Sequence, residues 1–168
     1  MKFLCTCCKE EHDLNEISLG ASAPVQWHLI SDEERSRSEL TDDQCIIETG
    51  DDVHYFVRAC LELPIAGTDD SFVWGVWCSL SERSFAEMHE HWTDPRRMEL
   101  GPYFAWLCTS LPCYTDTVFL KARVHQREVG QRPSVQLVET EHPLSVHQRL
   151  GVDPAEIKKI VEQALHEA

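Results

Sequence analysis

The chain has 168 residues, of which 42% are hydrophobic and 26% charged, and this composition is typical of a folded globular domain. Its 15 Lys and Arg residues are outnumbered by 29 Asp and Glu residues, which gives a formal net charge of −14. A field of that sign repels phosphate backbones and anionic lipid surfaces, so we expect no nucleic-acid or membrane partner and favour a protein partner, in particular a basic one.

The first element along the chain is the stretch "FLCTCCKEEH", residues 3–12, which is rich in cysteine. Cys5 and Cys8 have the CxxC spacing, from which one tight turn can present two thiolates to a tetrahedral ion, and His12 is close enough to add an imidazole. Free surface thiols and a dithiol redox site are the alternatives. A redox CxxC normally begins a helix beside a βαβ unit, and no such context surrounds Cys5, so zinc is favoured.

A fourth zinc ligand has to come from elsewhere in the chain. Cys45 is the best candidate, because "TDDQCIIE" places it in a polar segment just before the first core strand. His54 is the reserve candidate. Cys7 is interpreted as an extra thiol, because a CxxC turn holds a metal with less strain than two adjacent cysteines, although exchange between Cys7 and its neighbours stays open.

Helices and strands follow in an order that indicates an α+β domain. "SDEERSRSEL" predicts a polar helix capped by Ser31, with Glu34 completing a capping box, and "SLSERSFAEMHEHW" predicts a second helix. The alternation in "VHYFVRACLEL" predicts a half-buried strand, and "FVWGVWCSL" predicts a central one. Three more strands are predicted in "PYFAWLC", "TVFLKARVHQ" and "SVQLVE", and a short helix is expected after Pro143, ending at Gly151.

The last element, "VDPAEIKKIVEQAL", predicts an amphipathic helix with Asp153 as cap and Pro154 in its first turn. Together these elements predict one domain, residues 1–168, built on a mainly antiparallel sheet of about five strands with flanking helices and a small N-terminal zinc-binding turn. Residues 1–45 would carry the metal-binding segment and the polar helix. Residues 46–151 would form the sheet core and residues 152–168 the C-terminal helix.

Several blocks of the sequence resemble the bacterial domain-of-unknown-function family 2199. They are the CxxC followed by a histidine, "ACLELPI", "FVWGVWCSLSERSF", "PYFAWLCTSLPCYTDTVFLKARVHQREVGQRPSVQL" and "TEHPLSVHQRLG". The resemblance implies a CxxCG turn with a nearby histidine and a cysteine at the position of Cys45, but no activity. Lys9 stands where that turn would have glycine, which predicts strain on the order of 1 kcal/mol.

Among the nine histidines, His125, His142 and His147 could meet at one sheet edge and do general acid–base chemistry. An enzyme that uses this histidine cluster, or an open metal site, for hydrolytic or acid–base chemistry is therefore an alternative function. No nucleophile lies in a recognisable motif, so we treat the cluster as hydrogen-bonding structure.

The absence of a secretory signal in the first residues leads us to expect a cytoplasmic location. The function that the sequence favours is protein–protein interaction, with a structural zinc site and a neutralising or regulatory role toward a basic protein.

Overall fold

The computed structural model describes residues 2–14, 17 and 19–166. Within them, the first strands and helix are β1 (Lys2–Leu4), β2 (Glu11–Asp13), β3 (Leu19–Gly20), α1 (Asp32–Arg37), β4 (Glu39–Leu40) and β5 (Gln44–Thr49). Next come β6 (Asp52–Pro64), β7 (Ser71–Leu80), α2 (Glu82–Glu90), β8 (Tyr103–Leu107), β9 (Lys121–His125) and β10 (Ser134–Leu137). The chain continues with α3 (Pro143–Leu150) and α4 (Pro154–His166), and short 3-10 helices lie at Val25–His28 and Pro95–Glu99.

The centre of the molecule is a closed five-stranded β-barrel made of β6 to β10. Each of these strands pairs antiparallel with the next, and β10 then pairs parallel with β6 through Ser134 and Cys60. Parallel closure follows from the odd number of strands, because the first and fifth strands of an up-and-down meander run in the same direction. The expected α+β class and antiparallel pairing are confirmed. The expected sheet of about five strands is closed into a barrel, which strand periodicity does not reveal, because it does not show whether the outer strands meet.

Two clusters of buried side chains hold the barrel and its surroundings together. The predicted alternation of β6 is confirmed: Val57, Ala59, Leu61 and Leu63 are fully buried in the larger cluster. The opposite face of the strand is also covered, because Phe56 belongs to a second cluster. The members of that cluster are Cys45, Ile47, Phe56, Trp77 and Cys108. Three further strands, β3, β4 and β5, extend the sheet to eight strands, and β3 and β4 come from the segment expected to precede the sheet.

The predicted helix signals are also observed. Ser31 and Glu34 form a capping box at the start of α1, and the α3 helix ends at Gly151 as expected. At the start of α4, Asp153 accepts a hydrogen bond from the backbone amide of Ala155 at 2.8 Å. Buried apolar side chains of α4 pack into the larger cluster: Ile157, Ile160, Val161 and Ala164. The last helix is therefore docked on the barrel. None of the helices in the described part of the chain is long and apolar enough to cross a membrane.

Candidate metal centre

The first two strands form a hairpin whose connecting turn carries the CxxC pair. Antiparallel pairing joins Lys2–Leu4 to Glu11–Asp13, and the backbone amide of Cys5 donates to the carbonyl of Glu10 at 2.9 Å. Lys9 has a φ of 65°, in the left-handed region that costs a non-glycine residue about 1–2 kcal/mol. The strain expected from a lysine at a glycine position therefore has a structural basis.

Four potential ligands converge at this turn: Cys5, Cys8, His12 and His166. Their ligand atoms all lie within 4.8 Å of one another, and such a group could hold a metal ion. The Sγ of Cys5 is 3.3 Å from the Nε2 of His166, and the Sγ of Cys8 is 3.2 Å from the Nε2 of His12. In an ideal tetrahedral site with metal–sulfur and metal–nitrogen bonds of about 2.3 and 2.05 Å, the sulfur–nitrogen edges are about 3.6 Å, and the two distances here are a few tenths of an ångström shorter.

The C-terminal helix holds the turn in place through two residues on one face. Glu162 and His166 are one helical turn apart in α4, so their side chains point the same way. The carboxylate of Glu162 accepts hydrogen bonds from the backbone amide of Thr6 and, at 2.9 Å, from its hydroxyl. Both hydrogen bonds lower the pKa of Glu162, and the one from the backbone amide has the larger effect. The Glu162 carboxylate therefore stays ionised at neutral pH while it holds Thr6, in the turn that leads to Cys8.

The two thiols of the turn have opposite pKa shifts. Burial raises the pKa of Cys5, but hydrogen bonds from the backbone amides of Cys8 and Cys7, and from the side chains of Cys8 and His166, lower it to about 6. For Cys8, the backbone amide of Glu10 lowers the pKa, while desolvation and the adjacent Cys5 raise it by more. One thiolate is thus available at neutral pH, and binding of a divalent cation would favour loss of the second proton.

The structure brings together three of the four residues expected as ligands, and His166 rather than Cys45 is the fourth member of the group. Cys45 is fully buried in β5, within the second core cluster, where burial raises its pKa to about 12. It is not in the ligand group, because the alternation of β5 points it into the core. The reserve ligand His54 lies instead against Thr49, with its Nε2 3.3 Å from the hydroxyl, and Cys7 is exposed and outside the group.

His166 takes the place in the group that was expected for Cys45, and it was not predicted from the sequence. Its separation from Cys5 is 161 positions, which no ligand-spacing pattern covers. The available signal is weak: a histidine follows Glu162 by one helical turn on a helix otherwise recognised by its apolar stripe. Only the docking of that helix brings His166 into the group.

Two of the three histidines proposed as an acid–base cluster have separate hydrogen-bond partners. His142 caps α3 by accepting from the amide of Leu144 at 3.1 Å, and its Nε2 is 2.7 Å from the carbonyl of Thr115. The Nδ1 of His147 is 2.9 Å from the hydroxyl of Tyr114, and its Nε2 is 3.6 Å from Glu156. The Nε2 of His125 is buried without a hydrogen-bond partner among the described residues. Within that part of the chain, Cys5, Cys8, His12 and His166 form the only ligand group of this kind.

The fold and the ligand group together define a small β-barrel protein with a Cys/His cluster between its N-terminal hairpin and C-terminal helix. The chain belongs to domain-of-unknown-function family 2199, described as an uncharacterised protein conserved in bacteria, which matches residues 4–152. The match includes Cys5, Cys8 and His12 and ends before α4, which supplies His166. No curated protein and no solved structure gives a significant match to the chain.

Proposed function

We propose that the protein is a binding protein whose N-terminal hairpin is held by a structural zinc ion. The observation that carries the zinc site is the convergence of two thiols and two imidazoles within 4.8 Å. Thiolate and imidazole ligands in this number suit tetrahedral zinc, and four protein ligands leave no open position for a substrate. Zinc would therefore act by linking Cys5 and Cys8 to α4 rather than by chemistry, which also weighs against the alternative of an open-site metal enzyme.

The zinc site is tested by measuring the metal content of the purified protein and of four single variants. We expect one zinc per chain, retained in native mass spectrometry. Cys8→Ser and His166→Ala should each weaken zinc binding by more than the roughly 10- to 100-fold that loss of an outer-shell partner costs. Cys7→Ser and Cys45→Ala are the matched controls and should retain full zinc. A metal-free wild type, or equal zinc loss in Cys45→Ala and His166→Ala, would contradict the assignment.

The binding role rests on a groove beside the barrel. A cleft of about 620 Å³ is lined by the start of β6, the end of β7, the first turn of α2 and Phe119, and three acidic residues, Asp51, Asp52 and Glu82, are part of its lining. Within the described part of the chain, none of these three carboxylates forms an ion pair. A negative cleft of this kind complements a positively charged segment.

Exposed aromatic rings extend the cleft along the barrel. A neighbouring hollow of about 320 Å³ shares Ser79, Leu80 and Ser81 with the cleft and adds Phe104 and Trp106, whose rings pack edge to face. Phe119 is 62% exposed with a φ of 67°, so a bulky apolar ring is displayed from a strained backbone. Lys121 lies over the ring of Trp106, 5.7 Å from its centroid, and this cation–π contact within the chain supports the proposal that the surface suits cations.

The occupant that this groove fits best is an arginine-rich segment of a basic protein. A guanidinium can pair with a carboxylate and stack on an aromatic ring at the same time, whereas an ammonium does only the first well. Neutralisation or regulation of a basic partner would follow from occupation of this groove. The net charge of −14 would speed the encounter through electrostatic steering.

The groove is tested by fluorescence anisotropy with labelled nona-arginine and nona-glutamate peptides. We expect saturable binding of the arginine peptide alone. Phe119→Ala should weaken it about tenfold, as for loss of a central aromatic contact, and Asp52→Asn about threefold, as for one exposed ion pair. Asp69→Asn removes the same charge outside the groove and should change the affinity less than twofold. Equal effects of Asp52→Asn and Asp69→Asn, with none from Phe119→Ala, would mean that only net charge matters.

A further inference from the structure

A buried arginine on the side of the barrel near β9 has only neutral partners. Arg97 is 1% exposed and lies in the short 3-10 helix Pro95–Glu99. Its Nε and Nη2 donate to the Oε1 of Gln126 at 3.1 and 2.7 Å, and its Nη1 donates to the carbonyl of Trp92 at 2.7 Å. The guanidinium also stacks on the indole ring of Trp92, 4.5 Å from the centroid.

A guanidinium without a counter-ion is an unusual occupant of a protein interior. Buried charges are normally paired, because their removal from water is otherwise uncompensated, and arginine does not lose its proton instead. Among the described residues, no carboxylate lies within ion-pair distance of Arg97. The nearby carboxylate of Asp43 accepts from the Nε of Arg132 at 2.7 Å. Asp43 is therefore paired with Arg132 and not with Arg97.

Both arginines line the same small cavity. Its volume is about 280 Å³, and its walls are Asp43, Trp92, Arg97, Gly130, Gln131 and Arg132. Two guanidiniums and one carboxylate leave an excess of one positive charge, in a protein whose net charge is −14. The volume is that of about nine water molecules at roughly 30 Å³ each, which is enough for a small oxyanion with a few waters.

We propose that this cavity is a binding site for a small oxyanion, a phosphate or a carboxylate. Arg97 is its buried cation, held flat by Trp92 and Gln126, and Arg132 is its second, partly exposed cation. A planar guanidinium binds the oxygen pairs of phosphate and carboxylate groups in a bidentate manner, so either group matches the geometry of the donors. Asp43 competes with the anion for Arg132. This site shares no lining residue with the acidic groove and does not depend on its partner.

The test is isothermal titration calorimetry of the full chain with inorganic phosphate and, separately, with acetate, at constant ionic strength. We expect saturable one-to-one binding of at least one of the two, and the stronger one identifies the class of ligand. Arg132→Gln should weaken binding about tenfold, the range lost with one charge-assisted hydrogen bond. Asp43→Asn should strengthen binding, because it frees Arg132 for the anion.

Two further variants separate a binding role from a structural one. Arg96→Gln removes the neighbouring exposed arginine, which pairs with Asp94 and does not line the cavity, and it should leave the affinity unchanged. Arg97→Lys keeps a charge but not the planar fork, and it should weaken binding by tenfold or more while the protein stays folded by circular dichroism. Absence of saturable binding of both anions, or equal affinities in Arg132→Gln, Asp43→Asn and wild type, would overturn the proposal.

Discussion

The contact between β3 and β7 predicts that two neighbouring glycines respond oppositely to the same substitution. Gly20 and Gly75 face each other where the two strands pair in parallel. A Cβ added at Gly20 would lie 2.6 Å from the carbonyl oxygen of Gly75 and 2.8 Å from its Cα. Both are backbone atoms of a central strand, so they cannot rotate away. A Cβ added at Gly75 would have no neighbour closer than 3.5 Å, which is ordinary contact.

The size of the destabilisation can be worked out from the hydrogen bonds that β3 loses when it moves to relieve the clash. Moving Gly20 outward stretches the hydrogen bond from the amide of Ala21 to Gly75, now 3.2 Å, and that from the indole of Trp77 to the carbonyl of Ala21, now 3.0 Å. At about 1 kcal/mol for each hydrogen bond, Gly20→Ala should destabilise the protein by about 2 kcal/mol. That value lies within the range of about 1–3 kcal/mol usual for overpacking. Gly75→Ala should be neutral or stabilising by up to about 1 kcal/mol, because glycine weakens a strand.

Urea denaturation and thermal unfolding of the two variants, at a fixed zinc concentration, test the prediction. For a chain of this length, Gly20→Ala should lower the melting temperature by roughly 4–8 °C, while Gly75→Ala leaves it unchanged or slightly raised. Equal stabilities of Gly20→Ala and Gly75→Ala would refute the reasoning, because the two substitutions add the same atoms and differ only in the backbone that those atoms meet.

Three further outcomes are expected from other local features. Lys9→Gly should raise the free energy of unfolding by about 1 kcal/mol, because it removes the cost of a left-handed lysine, and urea titration would contradict this if it showed no gain. Thr109→Val should cost about 1–3 kcal/mol, because the buried amide of Trp77 loses its acceptor, now at 2.8 Å; Thr109→Ser, which keeps the hydroxyl, is the control in the same denaturation assay. Hydrogen bonds from the side chain and amide of Arg96 lower the pKa of Asp94 to about 2, so its contribution to stability is complete above the unfolded pKa near 4 and is lost as the pH falls toward 2. Denaturation between pH 5 and pH 2 should therefore show a shallower loss of stability in Asp94→Asn than in the wild type.

Most of the secondary structure was predictable because its signals act over a few residues. A capping box links Ser31 to Glu34, and the strand alternation of β6 repeats every second residue. The CxxC turn and its histidine were predictable for the same reason, because Cys5, Cys8 and His12 lie close together in the sequence. The boundaries were less accurate: the strand expected in "TVFLKARVHQ" is confined to Lys121–His125, since Phe119 has a positive φ that interrupts an extended chain.

The candidate site was predictable only in its N-terminal half. Cys5, Cys8 and His12 come from one hairpin, so their spacing in the sequence reports their spacing in space. Cys45 was chosen as the fourth ligand because its flanking residues are polar. Tertiary packing overrides this local polarity, because Phe56 and Trp77 cover the strand and bury Cys45 among apolar side chains.

The amino-acid sequence by itself determined the elements, the faces that they bury and the acidic charge, because propensity, periodicity and net charge are properties of neighbouring residues or of their sum. The tertiary structure alone decided that five strands close into a barrel and that His166 meets Cys5 across 161 positions. It also decided that Arg97 is buried beside a cavity, with no carboxylate among the described residues within ion-pair distance of it. Each of these features depends on how elements that are distant in the sequence pack against one another, and that packing involves the whole chain.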